Sequence, residues 1–263
     1  MNDPGRDSSP APSTPAKTTE QHALACAVDS GRLKMLTAHQ SKTSLLQLFL
    51  GVLLLSAAGL HQAGAKSLSN ARQLAEKVKK ILHDGDLIFQ NRRTKQGRAV
   101  EYATGSRYSH MGIVFIRNDQ PYVLEAIKRV TYTPLRKWIK RGRNHLFVVK
   151  RLRNAGKLLG PEKTKRLRTE AEKHLGKRYD TLFGWDDDRF YCSELAWKTY
   201  FRATGLVIGA QKKLADFNLT HPAVRRRLAR RYGNHIPYQM SVVSPADIFH
   251  SRLLVTVTVQ NPF

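Results

Sequence analysis

The stretch RFYCSELAWKTYFRATG (189–205) carries one of the two cysteines of the chain at the point where a loop turns into a helix. Its apolar positions recur at helical spacing, and Gly205 is a typical stop. A thiolate at position 192 would face the unpaired N–H groups and the positive end of the helix dipole, which favours the charged form. The same N–H groups could hold an oxyanion during acyl transfer. Cys192 is therefore a candidate nucleophile, with inert packing as the alternative.

A nucleophilic thiol needs a base, and the clearest hairpin of the sequence offers one. The hairpin is HMGIVFIRNDQPYVLEAI (110–127), two β-rich runs around residues 118–121. His110 opens the first strand and Glu125 lies in the second; an even-numbered loop puts both on one face, about one diagonal apart. Glu125 stands in an otherwise apolar run, where burial would be costly without a partner such as a histidine. Cys192, His110 and Glu125 thus match the nucleophile, base and orienter of a catalytic triad.

Other histidines follow residue 65, but they fall at element ends or in basic, polar stretches, and we expect them at the surface. They are His83, His145, His174, His221, His235 and His250. From residue types alone, a buried inert thiol at Cys192 and a core histidine at His110 remain an equal alternative to a catalytic pair.

The remaining pattern predicts helices and strands in separate blocks. Helices are expected within 67–83, 133–142, 161–175, 191–205, 221–233 and 244–249, and strands at 86–90, 110–116, 122–127, 144–151 and 253–260. Thr133 is the expected N-cap of its helix, with Pro134 as the first helical residue. Residues 91–109 are predicted to be a loop with one helical turn at most. This order favours an α+β fold over a doubly wound sheet.

The composition favours one globular domain with tails and a strongly basic surface. The chain has 263 residues, of which 41% are hydrophobic. Lys and Arg number 45 against 20 Asp and Glu, which gives a formal net charge of +25. Such a surface attracts anions, so nucleic acid, anionic lipid and acidic cell-wall polymer are the candidate partners.

An apolar run near the N-terminus decides between these partners. LLQLFLGVLLLSAAGL (45–60), followed by Ala63-Gly64-Ala65, has the form of an export signal with its cleavage site, and Met35 opens a complete signal peptide. We expect 1–34 to be a disordered tail or a misassigned start, 35–65 a signal peptide and 66–263 the folded domain. A retained N-terminal membrane anchor is the alternative. Export makes an anionic envelope polymer or a phospholipid surface the expected partner, and it disfavours nucleic acid, for which no motif is present.

No sequence pattern indicates a metal or a cofactor. HExxH and paired CxxC motifs are absent, and the adjacent aspartates at 186–188 lack the alternating ligands of a calcium loop. The basic helices around 163–177 and 225–231 are most simply solvated faces. We therefore expect neither metal nor cofactor, and the oligomeric state is left open.

Four short motifs resemble one family. GDLIF (85–89), SHMGIVF (109–115), VLEA (123–126) and YCSELAWKTY (191–200) come in the order and approximate spacing of the circularly permuted papain-like hydrolases, relatives of the NlpC-type cell-wall peptidases, and look most like the YaeF/YiiX branch. The resemblance implies a papain-like α+β fold, with a small antiparallel sheet or partial barrel packed against helices. It implies Cys192 as nucleophile, His110 as base and Glu125 as third member. Tyr191 and Ser109 are candidates for the oxyanion site or the pocket, and for Tyr191 packing is slightly favoured.

These observations predict an exported cysteine hydrolase of the amidase or peptidase type that acts on cell-wall peptide or a related amide. A lipid acyl hydrolase or acyltransferase with the same triad is the first alternative. A non-catalytic, basic protein that binds the cell envelope is the second.

Overall fold

Six antiparallel strands form the central sheet of the computed structural model, which describes residues 69–260 and the side chains of 69–258. The strands of the chain are β1 Leu87–Arg92, β2 His110–Arg117, β3 Gln120–Ala126, β4 Val130–Pro134, β5 Gly142–Leu152, β6 Arg178–Tyr179, β7 Arg189–Phe190, β8 Lys212–Lys213, β9 Ser241–Val242 and β10 Leu254–Gln260. The order in the sheet is β10-β5-β1-β2-β3-β4, while β6 pairs with β7 and β8 with β9.

Helices cover both faces of this sheet. They are α1 at 69–79, α2 Lys95–Thr104, α3 Leu135–Lys140, α4 Ala155–Leu158, α5 Pro161–Glu172, α6 Cys192–Thr204, α7 Pro222–Tyr232 and α8 Pro245–Phe249, with a 3₁₀ turn at Leu214–Asp216. One face packs against α5, α6, α7 and α8, and the other against α1 and α3.

Burial on both faces explains why the strands are apolar almost without interruption. In β2, Met111 and Ile113 join the core beside α6, whereas Val114 joins the core beside α1 and α3. A strand with only one buried face would alternate apolar and polar residues instead. The expected α+β fold, an antiparallel sheet packed against helices, is confirmed.

The hairpin of β2 and β3 fixes the register that matters for the site. Its two-residue turn is Asn118-Asp119, and both residues have positive φ, 47° and 54°. This backbone twist matches that of antiparallel strands, and Asn and Asp tolerate it well. Ile113 therefore pairs with Leu124, and continuing the register sets Gly112 opposite Glu125.

Two predictions of local structure are wrong. Residues 95–104 form helix α2 and not a loop, since the Thr94 hydroxyl accepts a hydrogen bond from the Gly97 N–H and Gly105 ends the helix at φ 62°. Thr133 is not a helix cap. It lies in β4, and Pro134 precedes the first residue of α3.

The segments 1–34 and 35–65, assigned to a tail and a signal peptide, lie outside the described residues. Within the described range, no helix has the length and apolar character that crossing a bilayer requires.

Candidate active site

Cys192 is the first residue of α6. Tyr191 is the extended residue before it, with φ −96° and ψ 165°, and its N–H donates to the Glu194 carboxylate. Helical hydrogen bonding begins with the Leu195 N–H, which donates to the Tyr191 carbonyl oxygen. The amides ahead of it, including that of Cys192, point out of the helix N-terminus beside the thiol. Cys192 is only 5% exposed, so the thiol faces the protein interior and not bulk water.

His110 and Glu125 meet across the hairpin. Both are buried, and Nε2 of His110 lies 2.6 Å from Oε2 of Glu125. The contact is diagonal, since the residue opposite Glu125 is Gly112. With Nε2 held by the carboxylate, Nδ1 is the ring nitrogen left for the Cys192 thiol, to which the imidazole is also hydrogen-bonded.

Gly112 has no side chain, and this allows β3 to lie close enough to β2 for the contact between His110 and Glu125. A Cβ at position 112 would lie 2.4 Å from Cγ1 of Val123, 2.6 Å from the carbonyl oxygen of Leu124 and 3.3 Å from Cβ of Glu125. These atoms belong to the strand that carries Glu125. A side chain at position 112 would therefore push β3 away from His110.

We expect Gly112→Ala to lower the free energy of unfolding by about 1–3 kcal/mol, the usual cost of overpacking a rigid core. Thermal unfolding measures the effect. Gly156→Ala in α4 is the control, because nothing lies within 4 Å of a Cβ there. Equal melting temperatures for the two variants would contradict the close approach of β2 and β3.

Two further side chains hold the Glu125 carboxylate. Oγ1 of Thr133 donates to Oε1 over 2.5 Å, and the Arg141 guanidinium donates to the same oxygen. Burial alone would raise the pKa of Glu125, but the hydrogen bond and charge of His110, with Arg141 and Thr133, lower it to about 2. Glu125 is therefore ionised at any physiological pH.

The thiol and the imidazole shift each other's pKa. Burial opposes ionisation of Cys192, yet the charge of His110 and its hydrogen bond outweigh this effect and lower the pKa of the thiol. The Met111 N–H also donates to the sulfur. Burial likewise disfavours the charged imidazole, but Cys192 and Glu125 together raise the pKa of His110. The arrangement stabilises a thiolate beside an imidazolium.

A cavity of about 440 Å³ opens beside the thiol. This volume is within the roughly 300–1,000 Å³ of typical ligand pockets. Its walls are largely apolar and come from α2, the turn at 214–219, α7 and residues 242–245. Cys192 and His110 line the same cavity, so a molecule bound there can reach the sulfur.

Tyr191 and Ser109 both line this cavity, but their hydroxyl groups have partners elsewhere. The Tyr191 oxygen accepts a hydrogen bond from the Val243 N–H, and its ring packs on Phe183. The Ser109 oxygen accepts from the Arg92 N–H. In this arrangement both side chains shape the pocket, and the backbone amides at the start of α6 are the candidate donors for an oxyanion.

One of the histidines expected at the surface is buried instead. His174 is 3% exposed and packs against Phe190, with ring centroids 4.4 Å apart. Burial and the nearby charge of Lys177 lower its pKa to about 4, so it is neutral at pH 7. The prediction of a surface residue was wrong because the turn after α5 folds back under β7, a tertiary contact that no local pattern reveals.

Sequence reasoning missed Thr133, Arg141 and the cavity-lining Arg92. A register argument could have found Thr133, because it lies diagonally from Glu125 on the neighbouring strand β4. That argument required β4 to be recognised as a strand. The two arginines had no such signal, since the chain is rich in basic residues and nothing local separates them from the rest.

Comparison with known proteins supports this reading of the fold. The sequence profile of the permuted papain-like amidase enzymes, YaeF/YiiX, C92 family, matches residues 81–258. The uncharacterized protein YiiX of Escherichia coli K12 is 44% identical over 178 residues, which cover 68% of this chain and 87% of that protein.

A solved structure is also similar. The crystal structure of YiiX from Escherichia coli O157:H7 superposes with a TM-score of 0.66 at 44% identity, covering 68% of this chain and 98% of that one. That relative is described as a metalloprotein. In the part of our chain that the structure describes, no group of three or more His, Cys, Asp or Glu side chains is placed to hold a metal ion. The family profile spans more than half of the sequence, and the chain belongs to the permuted papain-like amidases of the YaeF/YiiX type.

Proposed function

We propose that this chain is an exported cysteine hydrolase that cleaves an amide bond in cell-wall peptide or a related compound. The observation that carries the proposal is the buried array of Cys192, His110 and Glu125, of which Cys192 and His110 line an open cavity. A structural role would not require a thiol and an imidazole that shift each other's pKa toward an ion pair. Export rests on the signal-like segment before residue 66.

In the proposed reaction the Cys192 thiolate attacks the carbonyl carbon of the substrate, and the amides at the start of α6 bind the oxyanion. The His110 imidazolium then gives its proton to the leaving amine, which departs as the acyl-enzyme forms. His110, now neutral, takes a proton from a water molecule as its oxygen attacks the acyl carbon; the carbon–sulfur bond breaks, the carboxylic acid leaves, and the Cys192 thiolate and His110 imidazolium are restored. Glu125 holds the ring in place and stabilises its charged form.

The test is the rate of alkylation of Cys192 by iodoacetamide as a function of pH, followed by mass spectrometry of the peptide that contains it. We expect an apparent pKa clearly below the free-cysteine value of about 8.5. His110→Ala should raise that pKa, because the imidazolium that stabilises the thiolate is gone. The expected direction follows from the lowered pKa of Cys192 in the folded chain.

An unreactive thiol, or one with an ordinary pKa in both proteins, would contradict the proposal. The basic, non-catalytic envelope-binding protein would then be the better reading. Glu76→Gln is a suitable control variant, since Glu76 is an exposed residue of α1 and lies outside the cavity. It should leave the pH dependence of Cys192 alkylation unchanged.

A lipid acyl hydrolase or acyltransferase is the second candidate, and the apolar walls of the cavity favour it. Cell-wall peptides are polar, whereas an acyl chain would bury well against Val100, Leu214 and Leu228. A panel of cell-wall peptides, N-decanoyl amino acids and decanoyl esters separates the candidates. Free amine released from peptides supports the first, and decanoic acid released from esters supports the second.

A further inference from the structure

Helix α7 turns two of its five arginines toward the cavity. Arg227 and Arg231 are four residues apart, so they lie on one side of the helix, and both line the cavity that contains Cys192. They are only partly exposed. The other three, Arg225, Arg226 and Arg230, are exposed and do not line the cavity. A solvated basic face thus accounts for three of these arginines and leaves two unexplained.

A neutral side chain holds the two inward arginines. Oε1 of Gln96 in α2 accepts a hydrogen bond from Nε of Arg227 over 2.9 Å and from Nη2 of Arg231 over 2.5 Å. The Arg231 guanidinium also lies over the ring of Phe183, 4.4 Å from its centroid. An amide oxygen orients both guanidinium groups toward the cavity without neutralising either charge.

Arg92 of β1 adds a third cation to the same cavity. Its Nε is buried and has no hydrogen-bond partner. Among the described residues, no carboxylate lies within 4 Å of the guanidinium nitrogens of Arg92, Arg227 or Arg231, although twelve ion pairs of Arg, Lys or His with a carboxylate are present elsewhere in that part of the chain. No carboxylate of this part of the chain therefore neutralises these three guanidinium groups at ion-pair distance.

The three positive charges repel one another and are poorly solvated in this cavity. Burial lowers the pKa of Arg92 and of Arg231, and neighbouring cations lower both further. The charges of Glu125 and Cys192 attract Arg92, and that of Asp180 attracts Arg231, but within the described range no carboxylate lies within ion-pair distance of either guanidinium. Arginine stays protonated despite these pKa shifts. The buried positive charges therefore destabilise the folded protein until an anion binds in the cavity.

We propose that Arg92, Arg227 and Arg231 form a subsite for one anionic group of the substrate, a carboxylate or a phosphate, whose apolar part fills the rest of the cavity. Guanidinium groups bind both anions through paired, charge-assisted hydrogen bonds. The inference rests on the proposed function in one respect, that the cavity beside Cys192 is the substrate site. It narrows the substrate to an amphiphile that carries a negative charge.

Binding to the full-length Cys192→Ala protein tests the subsite without any turnover. Isothermal titration calorimetry with decanoate, decyl phosphate and decanol compares three ligands that share a chain and differ in charge. We expect decanoate or decyl phosphate to bind at least about tenfold more tightly than decanol, the effect of one charge-assisted hydrogen bond. The tighter of the two anions identifies the substrate group as carboxylate or phosphate. Equal affinity of all three would overturn the proposal.

Matched variants separate the subsite from the general positive charge of the chain. Gln96→Glu places a carboxylate against Arg227 and Arg231, and Arg98→Gln, an exposed neighbour in α2, changes the net charge by the same one unit. Only Gln96→Glu should remove the preference for the anion. The double variant Arg227→Gln/Arg231→Gln should also remove the preference for the anion. The double variant Arg226→Gln/Arg230→Gln, on the exposed side of α7, should keep it.

Equal losses in the cavity variants and in their controls would show a net-charge effect and refute the subsite. Thermal unfolding of each variant checks that the fold is intact, and Gln96→Glu keeps the shape of the side chain. Failure here and failure of the proposed function are distinguishable, because the alkylation of Cys192 does not depend on the arginines of α7.

Discussion

Cys192→Ala is expected to lower kcat for the best amide of the panel by about 10⁴- to 10⁶-fold, in line with the loss of a nucleophile from other triads. Alanine has no nucleophilic atom in its side chain, so the acyl-enzyme at position 192 cannot form. The measurement is the rate of amine release, under conditions where the wild type turns over many times. KM should change little, since the thiol contributes little to the surface of the cavity.

The control is Glu76→Gln, a change at an exposed residue of α1 outside the cavity, which should leave the rate unchanged. If Cys192→Ala kept more than a small fraction of wild-type activity, the thiol would not be the nucleophile. A decrease of equal size in Glu76→Gln would instead indicate that both substitutions act through folding.

Glu125→Gln is expected to lower kcat by about 10²- to 10⁴-fold, as with the corresponding change in a serine triad. The amide can still accept hydrogen bonds from Thr133 and Arg141, which occupy the Oε1 side of the present carboxylate. On the other side an NH₂ group would face Nε2 of His110 and force the ring proton onto Nδ1. That tautomer directs a hydrogen at the sulfur and cannot act as a base.

The pH dependence of kcat/KM distinguishes an action of Glu125 on the His110 imidazole from a purely structural role. The wild type should show a bell-shaped kcat/KM, rising as Cys192 ionises below its ordinary pKa and falling as His110 loses its proton above its ordinary pKa. Because Glu125 helps to raise the pKa of His110, Glu125→Gln should move the alkaline limb to lower pH. If Glu125→Gln lowered kcat/KM without moving the alkaline limb, Glu125 would not act on the imidazole.

The parts of the site that lie within one hairpin or one helix turn could be predicted from the sequence. The two-residue turn at Asn118-Asp119 fixes the parity of His110 and Glu125, and Gly205 fixes the end of the helix that Cys192 begins. The contribution of Thr133 was missed because a Thr-Pro pair is equally typical of a helix start. Arg92, Arg227 and Arg231 depend on how α2 and α7 pack, which local patterns do not encode.

The two contacts of His110 in the site join residues at very different separations along the chain. His110 and Glu125 are 15 residues apart and joined by a tight turn, whereas Cys192 follows His110 by 82 residues. Local pairs close quickly and distant ones slowly, so the base and its carboxylate can be assembled while the thiol is still on an undocked segment. Until α6 settles on the sheet, the sulfur has only the reactivity of free cysteine, and the newly made chain is protected from its own chemistry.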